Sequence, residues 1–304
     1  MDLPPDYQKA IDDMTASINA AHMPALIAAA LLPIEKDVKA ELQHWHAELP
    51  LKWQLGGKPR LEFFVSVLSD LSQMTWQTAG ETPDFYAMFL SYLEDYPIDA
   101  DNLEEFKERM TDLEPDRLGV WINAQSYSFE LGWYIAPPSS LYENAVALLP
   151  QCSVLEQINA WAEKYAVIRC PRVGRSLVTQ DRLSELFLVV NAETSRRSLE
   201  IALILLRYLG LEYPTDNVLA ALFSEDPREV VVSLCFGLSG LARVGILLGS
   251  PSTVQFLRLN AAVGKGKDQQ IAVFEGALGV NQIDYLEYQV NVDGEGVELH
   301  YALH

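Results

Sequence analysis

The chain of 304 residues carries 42 acidic against 22 basic side chains, a formal charge of −20, with 49% apolar and 21% charged residues. That balance builds a folded, soluble protein with a sizeable core and excludes neither one large domain nor two. The negative field repels phosphate backbones and anionic lipid heads, so nucleic acid and membrane are poor partners, and any anionic substrate needs local cations or a metal ion to hold it.

The three cysteines, Cys152, Cys170 and Cys235, form no metal-ligand or CxxC spacing and read as reduced thiols of a cytoplasmic protein. Residues 1–20 begin MDLPPDYQ and show no basic leader pattern. The longest apolar run, MPALIAAALLP at 23–33, falls short of the ~20 residues a bilayer needs and reads as a buried helix.

Apolar residues at i, i+3 and i+4 spacing predict helices over DYQKAIDDMTASINAA and MPALIAAALLPIEKDVKAELQHW. The stretch LPLKWQLGGKPRLEFFVSVLS at 49–69 then reads as a hairpin turned at Gly-Gly-Lys-Pro, with Glu62 conspicuous in an apolar arm. Helices over 84–96 and 102–113 lead to a second hairpin at 117–138 with its turn at 124–128. SSLYENAVALL is expected to be a helix with a Ser140/Glu143 capping box, and SVLEQINAWAEKY a second helix. A third hairpin spans about 166–191, its first arm made irregular by Pro171 and Gly174. Helices at 195–210 and DNVLAALFSE, a hairpin at 229–250, helices TVQFLRLNAAV and DQQIAVFEGALG, and a last hairpin at 283–304 complete the chain. GKGK at 264–267 lacks the spacing of a phosphate loop and reads as a surface turn.

Five hairpins separated by helix pairs, with no linker or compositional break, predict a single domain over 1–304. This order excludes a parallel sheet, which needs single βα crossovers. Paired hairpins make one ten-stranded antiparallel sheet with helices on one face, and such a sheet curls and closes to remove its edges. The expected fold is α+β: a ten-stranded antiparallel β-barrel within a ring of α-helices, wide enough for a solvent-accessible lumen. Both faces of each strand are then expected to be mostly apolar, with isolated polar groups aimed inward.

The chain resembles the ABBA-type soluble aromatic prenyltransferases, whose αββα units close a ten-stranded barrel. The likeness is carried by WAEKYAVIRCPR…LSELFLVVNAETSRRSLEIALILLRYLGLEYPTDN, by PRLEFFVSV at the place of the family's second strand, and by LARVGILLG at the second strand of the fourth hairpin. It implies a lumen that binds an allylic diphosphate, dimethylallyl or geranyl, and an electron-rich acceptor: an indole, a phenol, or a peptide side chain. It also implies Mg²⁺ in some members, with Glu62 as the acidic position that holds it against the diphosphate. The alternative for Glu62 is a strand glutamate paired with Arg60 or Lys52 at the barrel mouth.

Arg243 matches the family's arginine and Arg182 falls near a basic position; with Lys52 and Arg60 they form the expected diphosphate set. The family's lysines on the second hairpin and last strand are absent from FELGWYIA and VELHYALH, leaving Lys58, Arg169, Arg172 and Arg175 as other sources of charge. Trp121, Trp133, Tyr134 and Tyr301 are the expected aromatic shield for an allyl cation, the alternative being that they pack beneath helices. His300 or Glu298 is placed to take the ring proton, a role that needs no strong base. The scarcity of cations keeps open a non-catalytic barrel that binds a hydrophobic or aromatic small molecule.

Overall fold

Alternation with a period of two organises the described part of the chain, a computed structural model covering residues 62–303 apart from 94–97, 126–128, 150–153, 179–182, 238–239, 265 and 292–293. Ten strands form in this span: β1 (Glu62–Leu68), β2 (Gln73–Glu81), β3 (Arg117–Gln125), β4 (Phe129–Ile135), β5 (Arg169–Ser176), β6 (Ser184–Val190), β7 (Val230–Gly237), β8 (Gly240–Gly249), β9 (Tyr285–Asn291) and β10 (Gly294–Leu303). Each pairs antiparallel with the next, and β1 pairs with β10, so the sheet is a closed barrel. Four helix pairs connect the hairpins among the described residues: α1 (Asp84–Leu93) with α2 (Ala100–Leu113), α3 (Tyr142–Val146) with α4 (Val154–Tyr165), α5 (Ser195–Tyr208) with α6 (Asp216–Leu222), and α7 (Thr253–Val263) with α8 (Asp268–Leu278).

Side-chain oxygens start the helices where the sequence supplies them. Asp99, Thr194, Thr215 and Ser252 accept hydrogen bonds from first-turn amides of α2, α5, α6 and α7, and Gly264 and Gly279 end α7 and α8 in the left-handed conformation. The helices dock through specific polar contacts as well as apolar ones. Trp161 of α4 donates its indole N–H to the carbonyl of Ile201 in α5 at 2.9 Å, and Gln255 of α7 donates to the carbonyl of Leu222 at 3.0 Å.

The main core lies between the barrel wall and the helices. Val65, Trp76, Val120, Leu188, Val232 and Ile246 all project outward from their strands and are buried against helical residues such as Phe89, Ile158 and Leu206. Trp133 and Tyr301 belong to this layer, which corrects the expectation that they line the lumen. Trp133 packs on Phe106 of α2 with ring centroids 5.5 Å apart, and the Tyr301 hydroxyl donates to Glu275 of α8 at 2.9 Å. The alternation of each strand decides this facing: Tyr134 and His300, their immediate neighbours, point the other way.

Two local expectations are also corrected. EFFVSVL is the first arm of the first described hairpin, and its partner is QMTWQTAGE at 73–81, with the turn at Asp70–Ser72. There Ser72 donates from both its backbone N–H and its hydroxyl to the Asp70 carboxylate. The arm expected before residue 62 lies outside the described residues. The Ser140/Glu143 capping box does not form, because Pro138–Ser140 is a short 3₁₀ turn and Leu141 precedes α3 without a side-chain cap.

Because Trp133 fills core space under α2 rather than lumen space, Trp133→Ala is expected to destabilise the protein by about 3–5 kcal/mol in urea unfolding. An unchanged midpoint contradicts the outward placement.

Candidate functional site

The inner face of the barrel differs from the outer one in composition. Ser66, Thr75, Gln77, Asn123, Ser233 and Gln289 alternate with the outward apolar residues, and charged residues join them. The lumen divides into two chambers. Toward the mouth lies a cavity of about 590 Å³ whose walls are mainly apolar, including Phe64, Ala79, Val189, Val231, Leu247 and Tyr285. Deeper lies a smaller polar chamber of about 120 Å³.

Arg172 of β5 separates them. Its guanidinium reaches across the lumen to Gln77 of β2 at 2.6 Å and pairs with Glu185 of β6 at 3.3 Å. It also lies 3.9 Å from the ring centroid of Tyr134 and 4.6 Å from that of Phe187. Gln77, Arg172, Phe187 and His300 border both chambers, so this crossing is a partition with a polar rim. Tyr134 lies flat on Gly119, where any Cβ would collide with the ring. Its two faces are therefore covered, one by Gly119 and the other by Arg172. Trp121 likewise lies on Gly132, with its ring bordering the polar chamber.

In the polar chamber Arg243 of β8 pairs with Glu185 at 3.4 Å, so one carboxylate serves both lumen arginines. Arg243 also approaches Glu298 at 4.0 Å. Glu287 and Glu298 are direct partners on β9 and β10 and are 1% and 3% exposed. His300 Nε2 contacts Glu287 at 2.8 Å, Ser233 donates to Glu287 at 2.6 Å, and Ser66 donates to Glu298 at 2.5 Å. Gln289 also donates to Glu298. Burial works against charge on both members of the His300–Glu287 pair. The His300 hydrogen bond and the Arg243 charge nevertheless hold the Glu287 carboxyl down at about 2, and the Glu287 bond with the Glu298 charge raises His300 above the usual histidine range.

The structure brings Glu298, His300, Arg243 and Trp121 together at one chamber and places Tyr134 at the partition. Glu62 also points inward, but at the mouth. Its carboxylate meets Arg117 of β3 at 2.7 Å and its side chain is 49% exposed. The expected partners Arg60 and Lys52, like Arg182, lie outside the described residues. Of the other cations, Arg172 faces the lumen, Arg169 sits at the mouth 4.0 Å from Glu229, and Arg175 faces outward and pairs with Glu105 of α2. Sequence reading missed Gln77, Glu185 and Glu287. Their signal was polar residues recurring at every second position of a strand, as in EYQ of β9.

No family model matches the chain. A PH domain-containing protein of Dictyostelium discoideum is 22% identical over 260 residues, which are 84% of this chain and 56% of that protein; the chain spans about half the length of this curated relative. Among solved structures, the prenyltransferase PriB in ternary complex with L-tryptophan and dimethylallyl thiolodiphosphate superposes with a TM-score of 0.63 at 9% identity, over 94% of this chain and 95% of PriB. AnaPT from Neosartorya fischeri gives 0.61 at 10% identity, over 93% and 92% of the two chains. The chain has the fold of the ABBA-type aromatic prenyltransferases. The 5-dimethylallyltryptophan synthase of Streptomyces coelicolor shares this barrel with a TM-score of 0.58 at 11% identity, over 93% and 96%. Among the described residues no helix is long and apolar enough to cross a membrane.

Burial raises the thiols of Cys170 and Cys235 to about 12, in Cys235 against the opposing charge of Arg243. Native protein at pH 8 is therefore expected to react with a thiol reagent at no more than one cysteine, and at all three after denaturation. Two or more fast thiols in the native state contradict the described packing.

Proposed function

We propose that the barrel is an aromatic prenyltransferase that moves a dimethylallyl or geranyl group from its diphosphate to an electron-rich indole or phenol. The observation that carries this reading is the division of the lumen: an apolar mouth chamber adjoins, across Arg172, a polar chamber holding Arg243. The prenyl chain and acceptor ring suit the mouth chamber, and the phosphates suit the two guanidinium groups. The C–O bond of the donor breaks with its electron pair leaving on the diphosphate. A ring carbon attacks the allyl cation, and the ring proton departs to Glu298 or to the released diphosphate, because Glu287 favours the charged form of His300. Trp121 offers an open ring face to the cation, whereas Tyr134 does so only when Arg172 moves.

Mg²⁺ belongs to this proposal as a counter-ion that neutralises phosphate charge. Glu62 by itself is a weak fit for it. Its carboxylate is engaged by Arg117, and among the described residues no second carboxylate converges on it. An ion there needs the substrate's own phosphates as most of its ligands.

A second reading, a non-catalytic barrel binding a hydrophobic or aromatic small molecule, is favoured by the charge of the lumen. Among the described residues Glu130, Glu185, Glu287 and Glu298 face only Arg172, Arg243 and His300. A diphosphate entering this space competes with Glu185 for both arginines.

That competition supplies the test. Protein incubated with allylic diphosphates, Mg²⁺ and an indole and phenol panel is expected to yield a prenylated product by mass spectrometry. Glu185→Gln, which removes the carboxylate shared by both guanidinium groups, is expected to bind a thiolodiphosphate analogue about tenfold more tightly in calorimetry. No product and no analogue binding in either protein leaves the non-catalytic reading.

A further inference from the structure

We propose that Glu287, Glu298 and His300 form a binding site for a divalent transition-metal ion in the polar chamber, separate from Glu62 and independent of prenyl transfer. Two glutamates directly opposite on neighbouring strands repel one another, and both are almost fully buried. Such a pair calls for positive charge, which Arg243 offers to Glu298 only at 4.0 Å and His300 offers to Glu287 at its edge, leaving no cation between the two carboxylates among the described residues. His300 adds a nitrogen on the same inward face two residues beyond Glu298, and one ligand atom from each residue lies within 4.8 Å of the others. Ligand atoms bonded to one ion at about 2.0–2.2 Å sit roughly 3–3.5 Å apart, so the set closes on an ion by small side-chain rotations. The 2.8 Å His300–Glu287 hydrogen bond opens by only a few tenths of an ångström to reach that span.

The groups that would orient these ligands are in place. Ser233 donates to Glu287, and Ser66 and Gln289 donate to Glu298, the kind of outer contacts that fix metal-bound carboxylates. Gly245 of β8 lies beneath Glu287, and a Cβ there would collide with its carboxylate. The backbone thus reserves space for this side chain.

A second observation comes from the other side of the chamber. Trp121 of β3 is 4% exposed, and its indole N–H has no hydrogen-bond partner among the described residues; neither does Asn123 Oδ1, further along β3. Both residues border the chamber that holds the carboxylates. A buried donor and a buried acceptor left unpaired imply a missing oxygen ligand there. Water molecules on a bound ion supply one: they donate to Asn123, and an oxygen of the hydrated ion accepts from Trp121. The chamber of about 120 Å³ has room for an ion with several waters. One nitrogen and two carboxylate donors suit Mn²⁺ or Zn²⁺ better than Mg²⁺.

The test uses Mn²⁺ with the full chain and no prenyl donor. A single Mn²⁺ per chain is expected, showing a nitrogen coupling in pulsed electron paramagnetic resonance that changes when the histidines are ¹⁵N-labelled. Zn²⁺ is expected to displace it. Glu298→Gln is expected to weaken binding about 100-fold or more, and Glu62→Gln to leave it unchanged. Absence of saturable Mn²⁺ binding, binding without histidine nitrogen coupling, or loss of binding in Glu62→Gln alone overturns the proposal. The isotope readout on unmutated protein decides the matter even if Glu298→Gln fails to fold. Because the donor is omitted, failure here leaves the prenyltransferase reading standing, and the reverse holds equally.

Discussion

Pairing of β1 with β10 closes the ring, and the character of the inner face follows from that closure. An open ten-stranded sheet would leave two rows of unpaired amides and carbonyls and a face free to meet water or another chain. Closure turns that face into an enclosed space shared by every second residue of ten strands. The outward positions are then free to be apolar throughout, since helices cover them. The inward positions must satisfy one another, because helices cannot reach them.

The lumen shows how that requirement is met. Its deep part is held by hydrogen bonds and ion pairs that cross between strands: Arg172 to Gln77 and Glu185, Arg243 to Glu185, Ser66 to Glu298, Ser233 to Glu287. Its mouth is lined by apolar side chains and opens outward. A barrel of this kind separates a greasy compartment from a charged one within a few residues of each strand. Among the described residues of the polar chamber, carboxylates outnumber guanidinium groups, a balance that a bound cation would shift.

Much of the architecture was legible in the sequence, because hairpin-and-helix-pair order admits few solutions once edges must be removed. Four of the five hairpins fall where strand-like composition and turn residues place them. The exception is instructive. QMTWQTAGE was passed over because its inward residues Gln73, Thr75 and Gln77 are polar, while the reading expected apolar strands on both faces. The same assumption hid Glu185 and Glu287. Trp133 and Tyr301 were misplaced for a different reason: in a strand a shift of one residue reverses the facing, and composition alone does not fix the register. Glu62 lies at the mouth paired with Arg117, a partner more than fifty residues away in sequence, on a strand two places along the sheet.

Closure is the claim from which the chambers, the facing of each site residue and the chemistry all descend, and native-state hydrogen exchange tests it most directly. If β1 and β10 pair along their length, every second amide of each strand within Phe64–Val67 and Leu299–Ala302 bonds across the seam, and the amides between them bond to β2 and β9. Exchange at this seam is then expected to be as slow as at β7 and β8 in the middle of the sheet. Rapid exchange at both β1 and β10, with β7 and β8 protected, would mean an open sheet and would contradict the account.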